Sequence, residues 1–452
     1  MLPYALAMGE GPVRLPDGLA DALAAGGTVV GAPTALPETP LGPEALSEPT
    51  RPVGLPWVLW LSLLSVGVWS GFYGPVQVLL AQQAELVSPL HKEATLSLVT
   101  GVGALVSTVT NPLWGAFSDR TVARVGRRLP WVVGGLAVGV VAMVLLAYAA
   151  TVLTMVLAWA LAQVGLNAML AALTAAVPDR VPRPQRGVVG GWLAIAQTVG
   201  VVAGSGVAAF TGSIAAGYLT LAVGLAVLAL PYCLASRDVA LEPSRRPPFV
   251  LREFLRSFWV SPRAEPDFAW AWVTRFLMNL GNALLLLYLL YYLKEAVHLS
   301  DDEAETGVFV LTVVFGGFTI LAAIVGGIWS DRLGRRKVFV IGSGLIAAAA
   351  LGMLAFVSTW TGAVVGTVVL GIGYGTYTAV DFALVTEVLP RAADRAKDLG
   401  VINVANTLPQ VLAPVLAAGV LGLGLGYSTL YLIAAVVSLL GSWLVVNIRS
   451  LR

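Results

Sequence analysis

Twelve apolar runs of about twenty residues or more follow one another from Pro56 to Asn447, broken only by short clusters of Gly, Pro and charge. They fall near 56–81, 93–117, 129–149, 153–177, 187–210, 215–235, 268–292, 306–329, 338–357, 362–389, 399–421 and 427–447. A helix crossing the ~30 Å hydrocarbon layer takes about 20 mainly apolar residues, so each run is the length of one crossing. The expected fold is therefore an all-α integral membrane protein with twelve transmembrane helices. Only 12% of residues are charged and 58% are hydrophobic, against about 25% charged in a soluble domain. That balance excludes a soluble or a disordered chain. The long continuous runs exclude an outer-membrane barrel, whose strands alternate over about ten residues.

Residues 1–55 are of different material, rich in Ala, Gly, Pro and Leu and more acidic than basic. They carry no basic region followed by an apolar stretch and cleavage site, so they are not a secretory signal. They read as a disordered cytoplasmic tail, the alternative being a start codon assigned too far upstream. Of the 27 basic residues, 24 lie in the two tails or in alternate loops. Basic loops stay cytoplasmic during insertion, which puts both termini and the loop at 237–267 inside, in a multi-pass protein of the cytoplasmic membrane. Net charge +2 gives no reason to expect a nucleic acid partner. The expected partners are the lipid bilayer, a small-molecule solute and a proton or other cation, with the chain acting as a monomer.

A shift of 212 residues superposes Trp60 on Trp272, Gly115 on Gly327, Asp119 on Asp331, Arg120 on Arg332, Pro178 on Pro390 and Arg183 on Arg395. The chain thus divides into an N-terminal six-helix half, 56–236, and a C-terminal half, 268–452, in parallel orientation. Duplicated halves of this kind meet around a mid-membrane site in secondary transporters.

The second span ends in Gly115-Ala116-Phe117-Ser118-Asp119-Arg120, followed by Gly126-Arg127-Arg128-Leu129-Pro130-Trp131. The eighth ends in Gly327-Ile328-Trp329-Ser330-Asp331-Arg332, followed by Gly334-Arg335-Arg336-Lys337. A carboxylate at such a helix end can meet a guanidinium or a neighbouring helix N-terminus and latch the cytoplasmic side. The paired motif resembles the loop signature of the major facilitator superfamily, over about 390 residues. The Gly126–Trp131 run looks like the glycoside–pentoside–hexuronide and sucrose:cation symporter branch. Glu387-Val388-Leu389-Pro390 with Arg395 resembles the element that closes the tenth span of sugar porters; Ala175 replaces the corresponding Glu in the first half. The Gly-Pro pair of many drug:proton antiporters is absent from the fifth span. The resemblance implies the twelve-helix fold, with the first, fourth, seventh and tenth spans around a central cavity.

Polar residues repeat at helical spacing inside several spans: Tyr73 and Gln77; Gln163 and Asn167; Arg275, Asn279 and Asn282; Tyr374, Tyr377 and Asp381; Asn403, Asn406 and Gln410. Residues so spaced share a face, and a polar face in lipid turns toward a cavity or a neighbouring helix. Asp381 lies nine residues before Pro390, hence about 13 Å from the cytoplasmic end, and Arg275 about 10 Å from the same end. A lone charge there costs about 2.5–3.5 kcal/mol, so the two are expected to face each other, as a proton-responsive or substrate-gripping pair or as a structural salt bridge. Gly187 with Gly191, Gly200 with Gly204, and Gly371 with Gly375 are expected at close helix crossings.

Two histidines and one cysteine offer no metal cluster, and neither a P-loop nor a nucleophile–base set is present; no cofactor and no enzymatic activity are expected. The reading is a secondary transporter for a small polar solute, a sugar or glycoside, driven by protons. An exporter of amphipathic compounds and a non-transporting receptor are the alternatives on the same fold.

Overall fold

The computed structural model describes residues 49–236, 240–241, 250, 252, 262–263, 265–333, 335–388 and 395–449, with the side chains of Arg183, Asp331, 382–388 and 395–403 outside that set. Most of the N-terminal stretch and of the central loop lies outside the described residues.

Among the described residues, twelve helices are long and apolar enough to cross a membrane. They are α1 Leu55–Val87, α2 Pro89–Ser118, α3 Leu129–Ala147, α4 Val152–Arg180, α5 Arg183–Phe210, α6 Ile214–Ala235, α7 Pro266–Glu295, α8 Asp301–Leu333, α9 Arg336–Phe356, α10 Trp360–Val388, α11 Arg395–Gly422 and α12 Gly426–Asn447. Helices are the required solution, since hydrocarbon offers the backbone no hydrogen-bond partner. Their ends obey local chemistry. Pro130 and Pro266 occupy first turns, where a missing N–H is harmless. The Thr151 hydroxyl accepts the Thr154 N–H and opens α4, and the Ser300 N–H and hydroxyl both donate to Glu303 ahead of α8. Each is a side chain satisfying an orphan backbone group or fixing its turn.

Packing follows one plan twice. In the first half α1 packs on α5 and α6, α2 on α4, and α3 on α4 and α6; in the second, α7 packs on α11 and α12, α8 on α10, and α9 on α10 and α12. Adding six to every helix number converts the first set into the second, the structural counterpart of the 212-residue repeat. The halves meet through α2 with α11 and α5 with α8, themselves exchanged by the same operation, and through α1 with α7.

The first helix runs beyond its expected bound where a polar residue finds partners. The first span was expected to stop near residue 81, yet α1 continues to Val87. Gln83 explains this: its Nε2 donates to the carbonyls of Leu146 and Ala149 at 2.8 and 2.9 Å, and its Oε1 accepts the Tyr218 hydroxyl at 3.0 Å. Those carbonyls lie at and just beyond the α3 terminus, where the helix's own hydrogen bonds run out. Within α1, Pro75–Leu79 forms a π turn, in which the Leu80 N–H reaches the Pro75 carbonyl. At the other end, Val53, inside the stretch read as tail, exchanges two backbone hydrogen bonds with the Gln185 side chain.

Two of the three glycine pairs sit at close crossings. A Cβ on Gly204 would lie 2.8 Å from the Gly74 nitrogen, one on Gly200 2.7 Å from the Val66 carbonyl oxygen, and one on Gly375 2.2 Å from the Thr319 carbonyl oxygen. The third pair is a correction: among the described residues, nothing lies within 4 Å of a Cβ added to Gly187 or Gly191. The spacing alone does not say which face a neighbour covers. Gly375→Ala should therefore overpack α8 against α10 and cost about 1–3 kcal/mol, read as a lowered thermal unfolding temperature in detergent. Gly191→Ala should leave that temperature within error of wild type; equal losses in both would refute the assignment of close contacts.

Candidate functional site

The charged pair inside the bundle is assembled by three helices. Arg275 of α7 brings its Nη1 to 3.1 Å from Asp381 Oδ2 of α10, with the side chains 19% and 6% exposed. The Tyr377 hydroxyl donates to Asp381 Oδ1 at 3.1 Å. Arg275 Nε donates to Asn406 Oδ1 of α11 at 2.8 Å, and Asn279 Nδ2 reaches the same oxygen at 3.2 Å and the Arg275 carbonyl at 2.9 Å. Tyr374 donates to Asn279 Oδ1 at 3.4 Å. One turn further along α7, Asn282 Oδ1 is buried without a hydrogen-bond partner. Arg275, Asn279, Tyr374, Tyr377, Asp381 and Asn406 thus form one connected polar cluster. In hydrocarbon each member lowers the cost of the others.

The remaining stripe residues distribute otherwise. In the first half, Asn167 Oδ1 accepts from Ser107 and Asn111 of α2 at 3.1 and 3.2 Å, and its Nδ2 donates to Gln163. These hydrogen bonds join α4 to α2. Gln77, in the π turn of α1, is buried, and its Oε1 lies at 3.5 Å from the Thr312 hydroxyl of α8. Gln410 is exposed. The side chain of Asn403 lies outside the described residues.

At the arginine-rich end, the first-half motif forms a clamp. Arg128 places Nη2 2.6 Å from Asp119 Oδ1 and Nε 2.7 Å from Asp179 Oδ2, and donates to the Ser118 hydroxyl as well. Arg127 adds a 2.5 Å contact to the other oxygen of Asp179. Arg120 turns back onto the Ala116 carbonyl. The clamp ties the end of α2, the start of α3 and the end of α4. An added Cβ on Gly115 meets nothing within 4 Å. In the second half Gly327 lies 3.6 Å from Ala379 by the same measure, Arg332 and Arg335 are exposed and Arg336 is half-buried. The side chains of Asp331, Glu387 and Arg395 lie outside the described residues.

The opposite end carries a set that the motifs do not mark. Glu85 of α1 accepts Lys92 of α2 on one oxygen and Lys294 of α7 on the other, both at 2.9 Å. Lys92 continues to Glu295 of α7 at 2.5 Å, and Lys294 to Asp301 of α8 at 2.9 Å. Below this cluster Tyr291 donates to the Ala81 carbonyl at 2.7 Å, Tyr288 and Ser97 share a hydrogen bond, and Phe210 meets Phe309 edge-on. All three contacts bridge the two halves.

Asp179, Glu85, Glu295 and Asn111 are what the sequence reading missed. A signal existed for the lysines: Lys92 and Lys294 are the two basic residues that depart from the arginine-rich side. A cation placed against the topological rule needs a reason, and here it is a set of carboxylates.

The family model described as Major Facilitator Superfamily matches residues 58–322 and 272–451. Among curated relatives, Myo-inositol transporter 3C and Myo-inositol transporter 3A of Cryptococcus neoformans var. grubii serotype A are 32% identical over 140 residues and 30% over 148. Those alignments cover 31% and 32% of this chain but only 22% and 23% of the relatives. Of solved structures, the nucleoside transporter NupG superposes with TM-score 0.71 at 13% identity, over 87% of this chain and all of that one. A bacterial homolog of the human lysosomal transporter Spinster, solved inward-facing and unoccupied, gives 0.63 at 15% identity, over 87% and 96%. At such identities the likeness concerns the fold alone. With its repeat, its pairing of helices and a family match spanning both halves, the chain belongs to the major facilitator superfamily, a family of membrane transporters.

Proposed function

We propose that the protein moves a small, neutral polar solute, a sugar or polyol, across the cytoplasmic membrane by alternating access coupled to protons. The observation that carries this reading is the Arg275–Asp381 pair, set among amide and hydroxyl groups of α7, α10 and α11. With both ionised the pair is neutral, so the cluster offers hydrogen bonds without a net field. Among the described residues of the cluster, the one cation, Arg275, is already paired and would not balance a phosphorylated or carboxylate solute; a polyol matches amides and hydroxyls. The resemblance to myo-inositol transporters, over a fraction of their length, points the same way.

Coupling follows from the setting of Asp381. Its counter-charge, Arg275, sits on another helix, so a modest rearrangement of α7 against α10 changes whether the carboxyl keeps that partner. The placement of basic residues supports an arginine-rich end and both termini on the cytoplasmic side, with the loop at 237–267 joining the halves there. The clamp around Asp119, Arg127 and Arg128 then stiffens the cytoplasmic end of the first half, and the Glu85 cluster closes the external end. Opening outward requires the Lys294–Glu85 and Lys92–Glu295 pairs to part.

Two outcomes are expected. In proteoliposomes with an imposed pH gradient and a panel of labelled sugars and polyols, including myo-inositol, Asp381→Asn should abolish accumulation while retaining exchange between equal pools. Accumulation that stays pH-dependent in this variant would remove Asp381 from the coupling role. Second, Glu85→Gln should loosen the external end. A cysteine placed at Ser97, with Cys233→Ser as background, should react several-fold faster with a membrane-impermeant maleimide when Glu85→Gln is added; unchanged labelling would mean that the cluster does not close that end.

A further inference from the structure

Asn406 occupies a position from which a third helix governs the charged pair. A guanidinium grips a carboxylate most firmly through the fork formed by Nε and the adjacent Nη. In this cluster the Nε arm of that fork is held by Asn406 Oδ1 at 2.8 Å, and Asp381 meets the guanidinium through Nη1, at 3.1 Å. Asn279 braces the arrangement by donating to the same Asn406 oxygen and to the Arg275 carbonyl. The other oxygen of Asp381 is occupied by the Tyr377 hydroxyl.

We propose that Asn406 is a positioning residue: by holding Arg275 Nε on α11, it keeps the guanidinium from clasping Asp381 as a fork and leaves the carboxyl free to take up and release a proton. This rests on the reading of Asp381 as the proton-responsive group. A neutral acceptor is what the role requires. An apolar side chain would leave the Nε–Nη2 edge free to turn toward Asp381, and a carboxylate would compete for the cation.

Among the described residues, few charged or titratable groups stand around Asp381. Arg275 comes from α7, and Tyr374 and Tyr377 from α10 itself. On α10, Glu387 lies six residues nearer the arginine-rich end. On α8 and α9, both packed on α10, the charged residues stand at the helix ends: Asp301, Asp302, Glu303, Glu305, Asp331 and Arg332 on one, Arg336 and Lys337 on the other. On α11, Arg395, Lys397 and Asp398 precede Asn406 by eight residues or more, about 12 Å along the helix.

The test uses the full-length protein in liposomes, without solute. The protonated-carboxyl infrared band that Asp381→Asn removes is followed across the pH range in which the protein stays folded. In Asn406→Leu, Arg275 is released onto Asp381, and the pH at half-height of the band should fall by about one unit. In Asn406→Asp, two carboxylates share one guanidinium, and the half-height should move up by about as much. Asn406→Gln, which restores a neutral acceptor, should return it toward wild type. Asn406→Ala replaces the leucine variant if that one fails to fold, as judged by thermal unfolding. Opposite displacements in the apolar and acidic variants support the assignment, since a residue that merely packs would displace neither, or both alike. No displacement, or displacement in one common sense, overturns it. Should these variants leave the band in place while Asp381→Asn still abolishes accumulation, the transport reading stands and the role of Asn406 falls. If Asp381→Asn removes no titrating band, both fall together.

Discussion

Hydrocarbon provides no hydrogen bonds, and that condition bears on where the interior polar side chains of this protein can be. A polar group left alone in such a medium costs several kcal/mol. Gln83 is tolerable because it completes the terminus of α3. Asn167 is tolerable because α2 supplies a hydroxyl and an amide. Arg275 needs the most, having five donors, and it sits where α10 supplies a carboxylate and α11 an amide oxygen. The same requirement that forces the chain into helices therefore also forces the polar residues to the places where helices converge.

The two halves share their packing and differ in their chemistry. Applying the repeat in reverse to the charged cluster leads from Arg275 to Leu63, from Tyr377 to Gly165, from Asp381 to Met169 and from Asn406 to Ala194. All four first-half counterparts lack a polar side chain. Conversely, Gln163 and Asn167 correspond to Gly375 and Ala379. The first half uses its polar residues to join α2 and α4, and at the equivalent crossing the second half brings glycine into backbone contact. At this one crossing the first half uses hydrogen bonds and the second close approach.

The architecture was legible because its signals are long. Twenty-residue apolar runs, alternation of basic loops and a repeat over 212 positions each average over many residues. The Arg275–Asp381 contact was legible for another reason: two opposite charges at similar depth in lipid have few other solutions. What could not be read depends on chain reversal. Asp179 follows a proline among arginines, and only the folding of the 119–128 loop brings Arg127 and Arg128 to it. Glu85 and Glu295 stand beside apolar runs like any helix-end acid, and their partners lie on other helices. Gly187 and Gly191 show the converse, a packing pattern on a face without a neighbour.

The π turn at Pro75–Leu79 bears on how insertions and deletions would be received. A π turn holds one more residue than the α turn it replaces, so α1 carries an angular offset of about 100° between its two segments relative to an unbroken helix. The leading segment presents Gly67, Gly71 and Gly74 to α4, α5 and α6, and the trailing one presents Gln83 and Glu85 to α3, α6 and α7. Loss of one residue anywhere between them would restore regular winding and turn the trailing segment away from all of its partners at once. The extra residue thus works as a phase adjuster that lets a single helix serve two differently oriented neighbourhoods, and the length of α1 at that point is under tighter constraint than the identity of most of its side chains.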